Sequence, residues 1–172
     1  MADLNILSVI YYHSVGPVKK DWENSFLTTG TDVFEEHLAW LSRRYTTISL
    51  MEYWQIRNGL IPPVKNPLVI TFDDGYLDNW VWAFPLLRKY GMKATIFISP
   101  DFVDEASGCR PKSDDETPGG TGSKELNGWG FLSWDEMRMM ESSGLIDIQS
   151  HAMTHSRYFV SDKLTGFHRP GG

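Results

Sequence analysis

The chain has 172 residues, 41% of them hydrophobic and 13% aromatic, which is enough for one apolar core and too few for two full domains. Sixteen Lys and Arg stand against 22 Asp and Glu, a formal net charge of −6 with no clustered basic face, and a phosphate-tracking nucleic-acid surface is excluded. Cys109 is the only cysteine, so neither an intramolecular disulfide framework nor a thiolate-based zinc site exists.

The start, Met1-Ala2-Asp3-Leu4-Asn5, lacks the basic region of a signal peptide. No run reaches the ~18–20 apolar residues of a spanning helix, so no membrane segment is expected. With a lone thiol that suits a reducing compartment, these features favour a cytoplasmic protein, a trimmed leader being the alternative. Leu4 to Tyr12, rich in Ile, Val and Tyr, reads as a buried strand ending at His13-Ser14. Asp32-Val33-Phe34-Glu35 reads as a capping box, with Phe34, Leu38 and Leu41 at helical spacing to about Tyr45. Thr46 to Leu50 is a short β-branched run, and Ser49 with Glu52 opens a brief helix that stops at Gly59. Beyond Pro62-Pro63, Pro67 to Phe72 is a near-continuous apolar strand, the pattern of a sheet buried on both faces.

A helix carrying Trp80, Phe84 and Leu87 then ends at Gly91, and Lys93 to Ser99 is another strand. Ala106 to Gly130 is rich in Ser, Asp, Pro and Gly without periodicity and reads as a long surface loop, its Asp114-Asp115-Glu116 solvated. Ser133 to Glu136 is a further capping box, followed by Met137, Met140 and a stop at Gly144; Ile146 to Gln149 is the last clear strand. Strands alternating with helices imply an α/β fold with a parallel sheet and right-handed crossovers. In such folds chemistry sits at the carboxyl ends of the strands.

Two clusters fall at such positions. Thr71-Phe72-Asp73-Asp74-Gly75 follows the strand from Pro67. Adjacent carboxylates repel unless a cation or a shared proton relieves them. Side chains alternate at a strand exit, so one acid suits a metal while the other stays free as a base. Gly75 permits a tight turn. The plainer alternative is that both acids cap the helix that follows. His151-Ala152-Met153-Thr154-His155 follows the last strand, and its spacing puts both imidazoles on one side of a helical turn, within reach of one ion; the alternative is a solvated face. Neutral imidazole ligates zinc and related divalent metals. One Asp with two His leaves a coordination position for water, the pattern of a catalytic site.

His13, at the end of the first strand, lines the site or is a buried, hydrogen-bonded histidine. Trp80 and Trp82 pack their helix, whereas Trp129 and Trp134, beside the glycine-rich loop, are candidates for a substrate-stacking platform. His37 reads as inert.

Thr71-Phe72-Asp73-Asp74-Gly75 followed by His151-x-x-x-His155 resembles the polysaccharide deacetylase family (NodB homology domain, carbohydrate esterase family 4). Ile10 to Val15, Lys93 to Ile98, and Trp134-Asp135-Glu136-Met137 through Gly144 to His151 are similar to that family's flanking segments, so the resemblance runs from about Leu4 to His155. It implies a distorted (β/α) barrel that hydrolyses an acetamide or related C–N amide bond on an N-acetylated saccharide. It also implies Asp74, His151 and His155 as ligands of a divalent metal, zinc first and Co2+, Ni2+ or Mn2+ as alternatives. Asp73 is then the general base.

Two departures qualify the resemblance. Ala152 stands where Ser or Thr commonly follows the first histidine. The family's later arginine-proline motif and final proton-donating histidine are matched only superficially by Phe167-His168-Arg169-Pro170-Gly171-Gly172, which comes too soon after His155. The expectation is therefore one domain over residues 1–172, the N-terminal portion of a barrel incomplete at its C-terminus, with an insertion at about 106–130. It would bind metal but hydrolyse poorly, and its open sheet edge favours a homo-oligomer. The alternatives are the same fold acting on a small cyclic amide or ureide, and a non-catalytic carbohydrate-binding remnant.

Overall fold

The computed structural model describes residues 7–18, 22, 25–115 and 126–155. β1 (Ser8–Tyr12) is followed at once by β2 (Ser14–Val15), which pairs in parallel with β3 (Thr28–Thr29) as a separate small sheet. Next come α1 (Thr31–Leu41), β4 (Thr46–Thr47), α2 (Leu50–Arg57) and β5 (Pro67–Phe72). A π-helical turn over Asn79–Ala83 runs into α3 (Phe84–Tyr90); β6 (Ala94–Ile98), α4 (Trp134–Ser142) and β7 (Ile146–Ser150) complete the order. The main sheet runs β1-β5-β6-β7, all parallel, with β4 on the first two residues of β5 and β6 on its last two.

The alternating strands and helices thus form the parallel α/β sheet that the sequence implies. Pairings are seen on one edge only of β1 and of β7, so among the described residues the sheet stays open rather than closing into a barrel. No helix among them is long and apolar enough to cross a membrane.

β5 shows why the order holds. Every residue after Pro67 is buried. Ile70 and Phe72 enter the main core with Phe34, Leu38, Leu87 and Ile96, while Val69 packs with Ile48 and Ile56 beneath α2. Both faces are therefore covered, as the unbroken apolar run requires. Phe34 and Phe72 are fully buried, and each contributes about 1.5–3 kcal/mol of transfer free energy.

Two capping boxes form, Ser49 with Glu52 and Ser133 with Glu136. The one expected at Asp32 does not. α1 starts at Thr31 behind Gly30, with no side-chain cap. Asp32 therefore lies inside the first turn, where its charge favours the helix dipole. Glu35 is drawn away to Lys89 Nζ at 2.5 Å and Tyr90 Oη at 3.1 Å, so it is not free to reach back to the cap. The helix also ends before Tyr45, whose N–H closes a turn onto the Leu41 carbonyl at 2.9 Å.

The segment expected as a plain surface loop is anchored. Arg110 donates from Nε and Nη2 to Glu136 at 2.8 and 2.6 Å, from Nη1 to Asp104 at 2.9 Å, and from Nη2 to the Phe131 carbonyl at 2.7 Å. Trp80 Nε1 donates to the Arg110 carbonyl at 2.7 Å. Asp114 pairs with Arg88 and Lys112, and Asp115 with Lys112, so these acids are neutralised rather than merely solvated. Glu116 and the tail from Phe167 lie outside the described residues.

Candidate functional site

His13, Asp73 and His151 each follow directly on the last residue of a parallel strand, β1, β5 and β7 respectively. Parallel pairing brings those carboxyl ends to one side of the sheet. The Asp73 N–H donates to the Tyr12 carbonyl at 3.0 Å, extending the β1–β5 ladder by one bond. The chain then turns sharply, because Asp74 (φ 72°) and Gly75 (φ 74°) are both left-handed. That backbone is open to glycine and tolerated by aspartate, and a strained non-glycine residue of this kind concentrates at functional sites. Neither acid caps the helical segment beyond, which begins at Asn79 behind Asp78 with no side-chain cap.

A side chain at position 75 would put its Cβ 2.8 Å from Ile98 Cγ2, in addition to the left-handed strain. Gly75→Ala is expected to destabilise the chain by about 1–3 kcal/mol, read as a lowered thermal midpoint. An unchanged midpoint would contradict the packing.

The turn aims Asp74 inward. Its Oδ1 lies 3.5 Å from His151 Nε2 and 3.4 Å from His155 Nε2, with the two rings 5.1 Å apart. The histidine segment is not helical; His155 is left-handed at φ 50°. The two rings meet because the loop is tied down, the His151 N–H donating to the Ile98 carbonyl at 2.8 Å and the Asp101 N–H to the Met153 carbonyl at 3.1 Å. The four-residue spacing thus works for a different reason from the helical one.

Asp74 Oδ1 is buried and has no hydrogen-bond partner among the described residues. A desolvated carboxylate oxygen without a donor is costly, and a cation relieves it. Ligand atoms at about 2.0–2.1 Å on a tetrahedral centre stand about 3.3–3.4 Å apart, close to the two observed carboxylate–imidazole separations. One oxygen and two imidazole nitrogens within 4.8 Å of one another therefore fit a divalent ion of the zinc type.

Around this cluster, Tyr76 stacks on Phe131 at 5.2 Å between ring centres. Burial, reinforced by the Asp74 carboxylate beside it, pushes the Tyr76 hydroxyl above its usual range. His13 Nε2 stands 3.9 Å from Asp73 Oδ2, so Asp73 faces His13 while Asp74 faces the histidine pair. Trp129 and Trp134 are half-exposed. Trp129 adjoins Gly130, whose carbonyl accepts from Leu77 N–H at 2.9 Å, so its segment runs along the acidic motif; Trp134 opens α4. His37 Nδ1 lies 3.0 Å from Tyr12 Oη, a hydroxyl that burial pushes up to about 12.

The sequence reading missed Asp78 and Asn79, which are buried and reach the strand end that carries His13. The available signal was two polar residues next to Leu77 and Trp80, where an apolar stripe belongs.

The family profile described as polysaccharide deacetylase matches residues 61–165. The Bacillus subtilis (strain 168) protein named "Putative polysaccharide deacetylase YxkH" is 30% identical over 150 residues, 87% of this chain and 43% of that protein. The poly-beta-1,6-N-acetyl-D-glucosamine N-deacetylase of Escherichia coli (strain K12) is 27% identical over 158 residues, 91% of this chain and 22% of that protein. Among solved structures, a de-N-acetylase from Aggregatibacter actinomycetemcomitans superposes with a TM-score of 0.63 at 26% identity, covering 84% of this chain and 54% of its own. The chain thus spans less than half the length of either curated relative.

Proposed function

The chain belongs to the polysaccharide deacetylase family, and we propose that it removes N-acetyl groups from a saccharide, with Asp74, His151 and His155 holding a divalent ion, zinc first, and Asp73 as the general base. The observation that carries this reading is the buried Asp74 Oδ1, without a hydrogen-bond partner among the described residues, facing both imidazoles at 3.4 and 3.5 Å. When bound, the ion supplies Lewis-acid polarisation of an acetamide carbonyl and acidifies water near neutral pH.

The protein's own groups do the rest. Asp73 keeps its carboxylate out of the ligand cluster and a quarter exposed, so it remains able to accept a proton from water and return it to the departing amine. Water adds to the acetamide carbon, the C–N bond breaks, and acetate and a free amine leave. His13 faces Asp73 from the adjacent strand end and is assigned to the substrate side of the site. Trp129 and Trp134 offer apolar faces on which a pyranose ring stacks. The E. coli relative's named substrate makes a β-linked N-acetylglucosamine polymer the first substrate to try.

The test is metal analysis of the purified chain beside acetate release from β-1,6- and β-1,4-linked N-acetylglucosamine oligomers. One equivalent of zinc together with acetate is the expected result. Zinc without acetate points to the incomplete barrel expected from the sequence or to another substrate, and absence of both signals overturns the metal centre and favours a non-catalytic remnant.

A further inference from the structure

Residues 12, 13 and 14 are tied one after another to the segment that follows β5. The Tyr12 carbonyl accepts from Asp73 N–H at 3.0 Å, the His13 carbonyl accepts from Asn79 Nδ2 at 2.8 Å, and Ser14 Oγ donates to Asp78 Oδ2 at 2.5 Å. Asn79 Nδ2 also bonds Asp78 Oδ1 at 3.1 Å, so the two side chains form one bracket. Both are 1% exposed or less.

The bracket is not what stability alone would select. Asn79 Oδ1 is buried without a hydrogen-bond partner among the described residues, an unsatisfied group that an apolar side chain would avoid. Asn79 also begins the π-helical turn, its carbonyl accepting from the Phe84 N–H five residues on. Such turns concentrate at functional sites.

What the bracket holds is the corner at which the chain leaves the main sheet. Ser14 is already paired with Thr28 in the small sheet, so His13 alone makes the change of direction. Its ring stands edge-on to Tyr11 at 6.0 Å and 72°, with Nε2 3.9 Å from Asp73 Oδ2. We infer that Asp78 and Asn79 are positioning residues that hold the His13 ring opposite Asp73, and that they act on turnover through His13 rather than through the metal ligands. The inference rests on the deacetylase reading above.

The experiment compares Asn79→Ala, His13→Ala and the double variant for acetate release from N-acetylglucosamine oligomers and for zinc content. A displacement near 1 Å costs up to about 10²-fold in rate, so Asn79→Ala is expected to lose about 10- to 100-fold in kcat with KM and zinc stoichiometry retained. In the double variant the losses should not add, because the amide has nothing left to position. Additive losses, or zinc lost from Asn79→Ala, overturn the inference.

A second readout is independent of turnover. The His13 ring resonances, identified by their disappearance in His13→Ala, are expected to shift in Asn79→Ala; unmoved resonances overturn the positioning role. Ser14→Ala removes the bond to Asp78 with little change in volume and serves if the Asn79 variant does not fold; it should move the same resonances. If His13→Ala keeps the parental rate, the role given to His13 falls. If only the Asn79 and Ser14 variants keep it, the positioning alone falls.

Discussion

Asp73→Asn is expected to retain a full equivalent of zinc and to lose about 10²- to 10⁴-fold in acetate release, the range a positioned general base contributes. Asp74→Asn is expected to lose the ion itself. The two carboxylates are neighbours in sequence but face different partners. Asp73 Oδ2 looks toward His13 at 3.9 Å, and Asp74 Oδ1 toward His151 and His155 at 3.5 and 3.4 Å. An asparagine at 74 offers a neutral oxygen or an NH2 group to the same cluster, and neither offsets the charge of a dication as a carboxylate does. Zinc by atomic emission and acetate by a coupled assay separate the roles. Equal zinc in both variants and the parent would remove the assignment.

The second large effect is on stability. Arg110→Met is expected to cost about 3 kcal/mol, the lower end of the usual range for breaking a buried ion pair. Glu136 is fully buried and would lose the Nε and Nη2 donors. It keeps the main-chain N–H groups of Ser133 at 2.9 Å and residue 110 at 3.0 Å, which is why the lower end applies. The denaturant midpoint should fall at constant slope. Pairing the change with Glu136→Met should recover most of the loss, because two apolar side chains need no counter-charge. Failure to recover would mean that the capping box at Ser133, rather than the ion pair, carries the energy.

The site was legible in the sequence to the extent that local rules governed it. Asp73-Asp74-Gly75 follows an apolar run buried on both faces, and His151 follows a short alternating run, Ile146 to Ser150, of which only Ile146 is buried; parallel pairing does the rest. What escaped depends on contacts between distant segments. The Asp32 box matched its pattern, yet Glu35 belongs to Lys89 and Tyr90, more than fifty positions away. The loop around Arg110 has a loop's composition, and its anchors are distant partners, the Arg110 guanidinium on Glu136 and Asp104 and the Trp80 indole on the Arg110 carbonyl. The π-helical turn is invisible to a search for helical spacing because Trp80, Phe84 and Leu87 keep an apolar face across it. The histidine spacing pointed to the right pair through a helix that is not there.

Asp74 and the histidine pair His151 and His155 come from two segments separated by two helical crossovers, so the unfolded polymer gathers no such grip. An ion that binds only the native arrangement favours it by mass action, by about 2.7 kcal/mol when free ion stands at about a hundredfold its dissociation constant. On the proposed reading, scarcity of that ion would be felt first as a shorter-lived chain, and only afterwards as lost turnover.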